Sequence, residues 1–142
     1  MNTKLTILGV ACGLGLAIAP MAAHHAFTAE FDGNAPITLR GTVTKVEWVN
    51  PHSWLYLDVK ETDGAVVNWA LELGPPNALF RRGWTKDSIP TGVEIMITGF
   101  RARSGKTIGN GRTVTFPDGR ELFAGSSGTG APSDNADPLE RK

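Results

Sequence analysis

The chain has 142 residues, 41% of them hydrophobic and 20% charged, with 17 Gly and 9 Pro. That suits one small globular domain and leaves no room for two substantial cores. Fourteen Lys and Arg balance fourteen Asp and Glu, so no net field exists to hold a nucleic-acid backbone or an anionic membrane, and the composition excludes collagen-like, coiled-coil and disulfide-scaffold classes.

Residues 1–23 read as a secretory signal peptide. Lys4 supplies the basic start, Leu5 to Ala19 is apolar apart from Thr6, and Pro20, Met21, Ala22 and Ala23 form a small-residue exit. As a helix the apolar run covers roughly 22 Å against a hydrocarbon core of ~30 Å, so a cleaved leader is the better reading than a permanent span. Cys12 lacks a lipidation context, because Gly9 stands where a leucine is wanted and the apolar run continues past it. Cleavage after Ala23 removes Cys12, the sole cysteine. The expected product is a periplasmic or secreted domain without a disulfide or thiol chemistry.

Residues 24–36, with His24, His25, Phe27, Phe31 and Pro36, show no sustained period and read as an extended N-terminal arm. The domain proper is expected over 37–124. Ile37, Leu39, Gly41 and Val43 alternate with Thr38, Arg40, Thr42 and Thr44, and the apolar phase then slips to Val46 and Trp48. One slip beside a glycine predicts a long bent strand with a β-bulge. After Asn50-Pro51-His52, Leu55, Leu57 and Val59 oppose Trp54, Tyr56, Asp58 and Lys60, Asp63-Gly64 marks a hairpin turn, and Val67, Trp69, Leu71 and Leu73 alternate to Gly74-Pro75-Pro76. Asn77 to Arg82 reads as a short helix stopped by Gly83. Strands then follow from Val93 to about Arg103, over Arg112 to Phe116, and over Arg120 to Phe123, and residues 125–142 read as a disordered tail. Three strands, a short helix and further strands predict a mainly β fold. The expected form is a small five-stranded OB-like Greek-key barrel with one short helix between strands 3 and 4, with a small antiparallel sandwich as the alternative.

The densest cluster of chemistry-bearing residues is Trp48, Asn50, His52, Trp54 and Tyr56. An OB-type domain presents ligands to the face of its second and third strands and to the loops at that end. Trp54 and Tyr56 would form an aromatic platform there, rimmed by Asn50 and His52, for a small molecule or a periplasmic protein. The competing reading buries those rings under the arm or the helix. His24, His25 and His52 form a second candidate set: an N-terminal histidine offers its amine and ring nitrogen, and imidazole suits copper and zinc. Arg81, Arg82, Arg101, Arg103, Arg112 and Arg120 would bind an anion only if the fold made them converge. Ser104-Gly105-Lys106-Thr107 ends like a phosphate-binding loop, but position 100 is Phe where that motif needs Gly. Asp58 and Glu72 lie outward on neighbouring strands without a nucleophile or an orienting group, and the chain is read as non-enzymatic.

His24-His25-Ala26-Phe27 with Glu30-Phe31-Asp32, then Gly41-Thr42-Val43 and Trp48-Val49-Asn50-Pro51-His52, resembles an uncharacterised bacterial exported family of unknown function. Asn68-Trp69-Ala70-Leu71-Glu72, the segment from Pro76 to Trp84 and the Pro117-Asp118-Gly119-Arg120 turn extend the resemblance over roughly residues 24 to 125. The resemblance implies a small exported β-rich domain and no particular activity.

Overall fold

The computed structural model describes residues 26–126 together with 131 and 132. The leader reading over 1–23, and His24 and His25, lie outside the described residues. The architecture is mainly β. Strands β1 (Phe31–Glu47), β2 (Trp54–Lys60), β3 (Val66–Glu72), β4 (Glu94–Ala102), β5 (Ile108–Thr115) and β6 (Glu121–Phe123) form one sheet, with helix α1 (Pro76–Arg81) between β3 and β4. The order β3-β2-β1-β4-β5-β6 has antiparallel neighbours, and β3 also pairs in parallel with β5. The pairings therefore run from β1 through β2, β3, β5 and β4 back to β1.

The long first strand makes that circuit possible. Its earlier part pairs with β4 from Pro36 to Thr42, and its later part pairs with β2 from Gly41 to Glu47. At the handover the strands approach so closely that a Cβ on Gly41 would stand 2.5 Å from the carbonyl oxygen of Asp58. The register with β2 shifts between Val43 and Lys45, which is the bulge expected from the slip in apolar phase. The β2–β3 hairpin turns at Asp63-Gly64, where Gly64 takes φ +86° and the Asp63 carboxylate accepts from the Ala65 amide at 2.9 Å.

Leu55, Leu57 and Val59 point inward with Trp69, Leu71, Leu73, Ile95, Ile97 and Val114, and these residues form one buried cluster. Each fully buried large aliphatic contributes about 1.5–3 kcal/mol relative to exposure. Helix α1, one residue earlier than the sequence suggests, adds Leu79 to this core. The following turn adds Trp84, whose Nε1 donates to the Phe123 carbonyl at 2.8 Å.

The sheet has six strands where five were expected, β5 begins at Ile108 instead of Arg112, and the two ends of the domain differ from expectation as well. Residues 26–30 form a helical turn and β1 begins at Phe31, so the expected extended arm is folded from Ala26 onward. Phe27 packs on Phe31 and on Phe100 with ring centroids 5.7 Å apart in both pairs, and Ala102 and Ala131 complete a second cluster. It lies outside the sheet, because Phe100 faces Pro36 in register and Pro36 alternates with the inward Ile37. Likewise the expected disordered tail is packed where it is described. Gly125 and Ser126 are buried, Ala131 joins the second cluster, and a Cβ on Gly33 would meet Pro132. The rest of that tail lies outside the described residues.

Candidate functional site

The chain leaves β1, passes the cis Asn50–Pro51 bond and enters β2 at Trp54. Ser53 extends the β2–β3 ladder by two bonds: its amide donates to the Gly74 carbonyl at 3.1 Å, and its carbonyl accepts from the Leu73 amide at 2.8 Å. His52 is thereby held against the end of β3, with Nδ1 3.2 Å from Oε1 of Glu72. The parallel pairing of β3 with β5 sets Asn110 directly beside Glu72. The helical turn over 26–30 and Phe31 close above them. Between these layers lies a cavity of about 130 Å³, with His52, Glu72 and Asn110 as its polar wall and Ala26, Phe27, Glu30 and Phe31 opposite.

The polar wall is electrostatically unusual. Glu72 is only 7% exposed. Burial pushes its carboxyl above the ordinary carboxylate range and the negative Glu30 adds to this, against the opposing pull of His52 and of a hydrogen bond from Asn110. Asn110 is 3% exposed. A carboxylate only accepts, so the Asn110 amide nitrogen faces Glu72, and Oδ1 has no hydrogen-bond partner among the described residues. An unsatisfied buried carbonyl of this kind is uncommon in a folded chain and costs about 1–3 kcal/mol. The same logic orients the imidazole: with Glu72 ionised, the Nδ1 of His52 that faces it carries a hydrogen.

The residues singled out from sequence divide between two places. Trp54 and Tyr56 stand half-buried on the outer face of β2, and Trp54 is the register partner of Glu72, so this face runs into the cavity at His52. The Tyr56 hydroxyl donates to Glu47 at 2.9 Å, and the Lys45 ammonium lies 5.4 Å from the ring centroid. Trp48 turns the other way. Its ring packs on Phe80 at 5.3 Å and on Trp84 at 6.0 Å, against the main core. Asn50 is exposed in the loop. Among the described residues no group of three His, Cys, Asp or Glu side chains is placed to hold a metal ion.

The other motifs disperse. Arg120 pairs with Asp118 at 2.7 Å, Arg103 donates to the Thr28 carbonyl at 2.8 Å, and Arg101 lies over the Trp69 ring. Arg82 and Arg112 both flank the Phe123 ring, so the arginines do not gather around one anion site. Asp58 accepts from Asn68 at 2.8 Å, on the outer face and two register positions from the Tyr56–Ala70 pair. Lys106 sits in the turn between β4 and β5.

Sequence reasoning did not single out Glu30, Phe27, Phe31 or Asn110 as site residues, and it placed Glu72 on the outward face without pairing it to His52. The i, i+4 spacing of Phe27 and Phe31 was the available signal for a helical turn with one apolar side, although one turn is too short for a period to emerge. Nothing local marks Asn110, which becomes a neighbour of Glu72 only through the β3–β5 pairing.

Among the described residues no helix is long and apolar enough to cross a membrane. No curated protein and no solved structure matches the chain. Residues 13–112, which reach from ahead of the helical turn into β5, match DUF6152, a family of unknown function, and the chain belongs to that family.

Proposed function

We propose that the chain is an exported, non-enzymatic binding domain built on an OB-like barrel, with its ligand site where the outer face of β2 and β3 passes under the N-terminal turn. Three features support this reading. The circuit of pairings from β1 back to β1, with a short helix between β3 and β4, has the order of an OB-type barrel. Such barrels use the face of their second and third strands for ligands, and Trp54 and Tyr56 are half-buried on that face. The observation that carries the reading is Glu72: a buried carboxylate held beside His52 and Asn110 that lines a cavity also lined by Phe27 and Phe31. Concave sites that hold an acid perturbed by burial are characteristic of binding sites. Amide chemical shifts of the labelled protein, followed against a panel of small polar fragments, test it. Perturbations should gather at His52, Glu72, Asn110 and residues 26–31. A panel whose responses fall elsewhere, or nowhere, ends the reading.

A second reading, a copper or zinc protein using His24, His25 and His52, is favoured by one contact. The Nδ1 of His52 faces the Glu72 carboxylate, the arrangement that orients metal-binding imidazoles so that Nε2 points to the ion. In sequence, His25 directly precedes Ala26, which lines the same cavity. Titration with Cu(II) and Zn(II) decides it: saturable binding must be lost in His52→Ala, and binding indifferent to that change would rule it out. Export is tested by the N-terminal residue of the protein recovered outside the cytoplasm.

A further inference from the structure

We propose that the outer face of β1 and β4 above Gly33 and Phe100 is a docking groove for an extended peptide of another protein, one in which a small residue precedes proline. Ala131-Pro132 of the chain's own C-terminal segment occupies the groove in cis and is displaced by that partner. The groove is independent of the cavity at Glu72 as a binding site. The seated pair gives the first reason: Ala131 is buried in the cluster of Phe27, Phe31, Phe100 and Ala102. The backbone of β1 gives the second. Gly33 stands inside a strand, where glycine marks the close approach of another group. A Cβ there would lie 2.9 Å from Cγ and 3.1 Å from Cδ of Pro132, so the missing side chain is the space beneath the proline ring. Gly33 is not among the glycines of positive φ; what it supplies is room.

The chemistry of the partner follows from that of the seat. Phe27 meets Phe31 and Phe100 at ring-centroid distances of 5.7 Å, and aromatic-lined grooves take extended chains bearing proline, which has no N–H to satisfy. The methyl of Ala131 fills the buried position, and a larger side chain there would overpack it. Beside Pro132 the surface continues as an open cavity of about 300 Å³ bounded by Pro36, Ile37, Thr38, Thr98 and Arg112, which leaves room for residues flanking the pair. The cis occupant is lightly held. Pro132 is exposed, and the cluster beneath is separate from the main core, so release needs only local opening. A tethered ligand competes at a roughly millimolar effective concentration, so the segment screens out weak peptides.

The test is an amide chemical-shift titration of the full chain with a synthetic blocked peptide of residues 128–136. Ala131→Asp puts a charge into the apolar cluster and unseats the segment. In that variant the peptide should give saturable shifts at Gly33, Phe100 and Thr113. The wild-type chain should bind it at least about tenfold more weakly, because its own segment competes. Gly33→Val added to Ala131→Asp fills the proline seat and should abolish the response. If Ala131→Asp does not fold, Pro132→Glu, at an exposed position, takes its place. Silence at these residues in the unseated variant, or shifts confined to His52 and Glu72, would overturn the groove as a docking site. Equal binding to the variant and the wild type would overturn the cis competition.

Discussion

The Nδ1 of His52 stands 3.2 Å from Oε1 of Glu72, which fastens the loop after β1 to the last residue of β3. The pair is not a simple stabilising clamp. The carboxyl of Glu72 is held above its ordinary range chiefly by burial, with Glu30 adding to the shift and His52 and Asn110 opposing it. A group with a raised folded-state value favours folding most where it is protonated in both states, and that contribution fades as the pH rises through the raised value. Raising the pH from the acid range therefore makes the buried carboxyl of Glu72 a growing cost to the fold.

Glu72→Gln is accordingly expected to gain on the wild type in thermal midpoint as the pH is raised from about 4 to about 7. Thermal unfolding across that range measures it. A gap that closes or reverses with rising pH would mean that the His52 contact outweighs burial. A side chain that lowers stability while lining a cavity is the pattern expected of a residue kept for binding.

Much of the framework was legible in the chain. Leu55, Leu57 and Val59 alternate as an inner face, the step from Val43 to Val46 marks the bulge, and Asp63-Gly64 marks the hairpin, because each of these signals is local and spans only a few residues. The same phase slip put Trp48 on the side of Val46, and Trp48 does pack on the core, away from Trp54 and Tyr56. What stayed hidden is non-local. The meeting of Glu72 and Asn110 depends on the parallel pairing of β3 with β5, and the roof of the cavity depends on Phe27 finding Phe100 across the sheet.

The two tryptophans of most contrasting surroundings should respond differently to truncation. Trp84 is 2% exposed and donates from Nε1 to the Phe123 carbonyl, so Trp84→Ala is expected to cost about 3–5 kcal/mol. Trp54 is half-buried on the outer face, and Trp54→Ala should cost about 1 kcal/mol or less. Urea unfolding of both variants provides the comparison. Equal large losses would place Trp54 in a core and remove the aromatic platform.

Close approach of the backbones gives a second stability prediction. A Cβ at Gly41 would stand 2.5 Å from the Asp58 carbonyl oxygen, where β1 passes from β4 to β2. Gly41→Ala must push these strands apart and should cost about 1–3 kcal/mol. A neutral result in urea unfolding would show that the handover is looser than the geometry indicates.

The roof of the cavity can be loosened without touching its polar wall. Phe27 is 4% exposed and joins the 26–30 turn to Phe31 and Phe100, while the main core lies on the other side of the sheet. Phe27→Ala removes the ring that links the turn to the sheet. Because the second cluster is small, the loss should fall on local opening more than on global stability. Hydrogen exchange is expected to quicken by about tenfold or more at residues 28–31 and to change little at Leu55, Leu57 and Ile97. Exchange that accelerates uniformly across β2 and β4 would show instead that the turn and the sheet unfold as one unit, and that the cavity cannot open on its own.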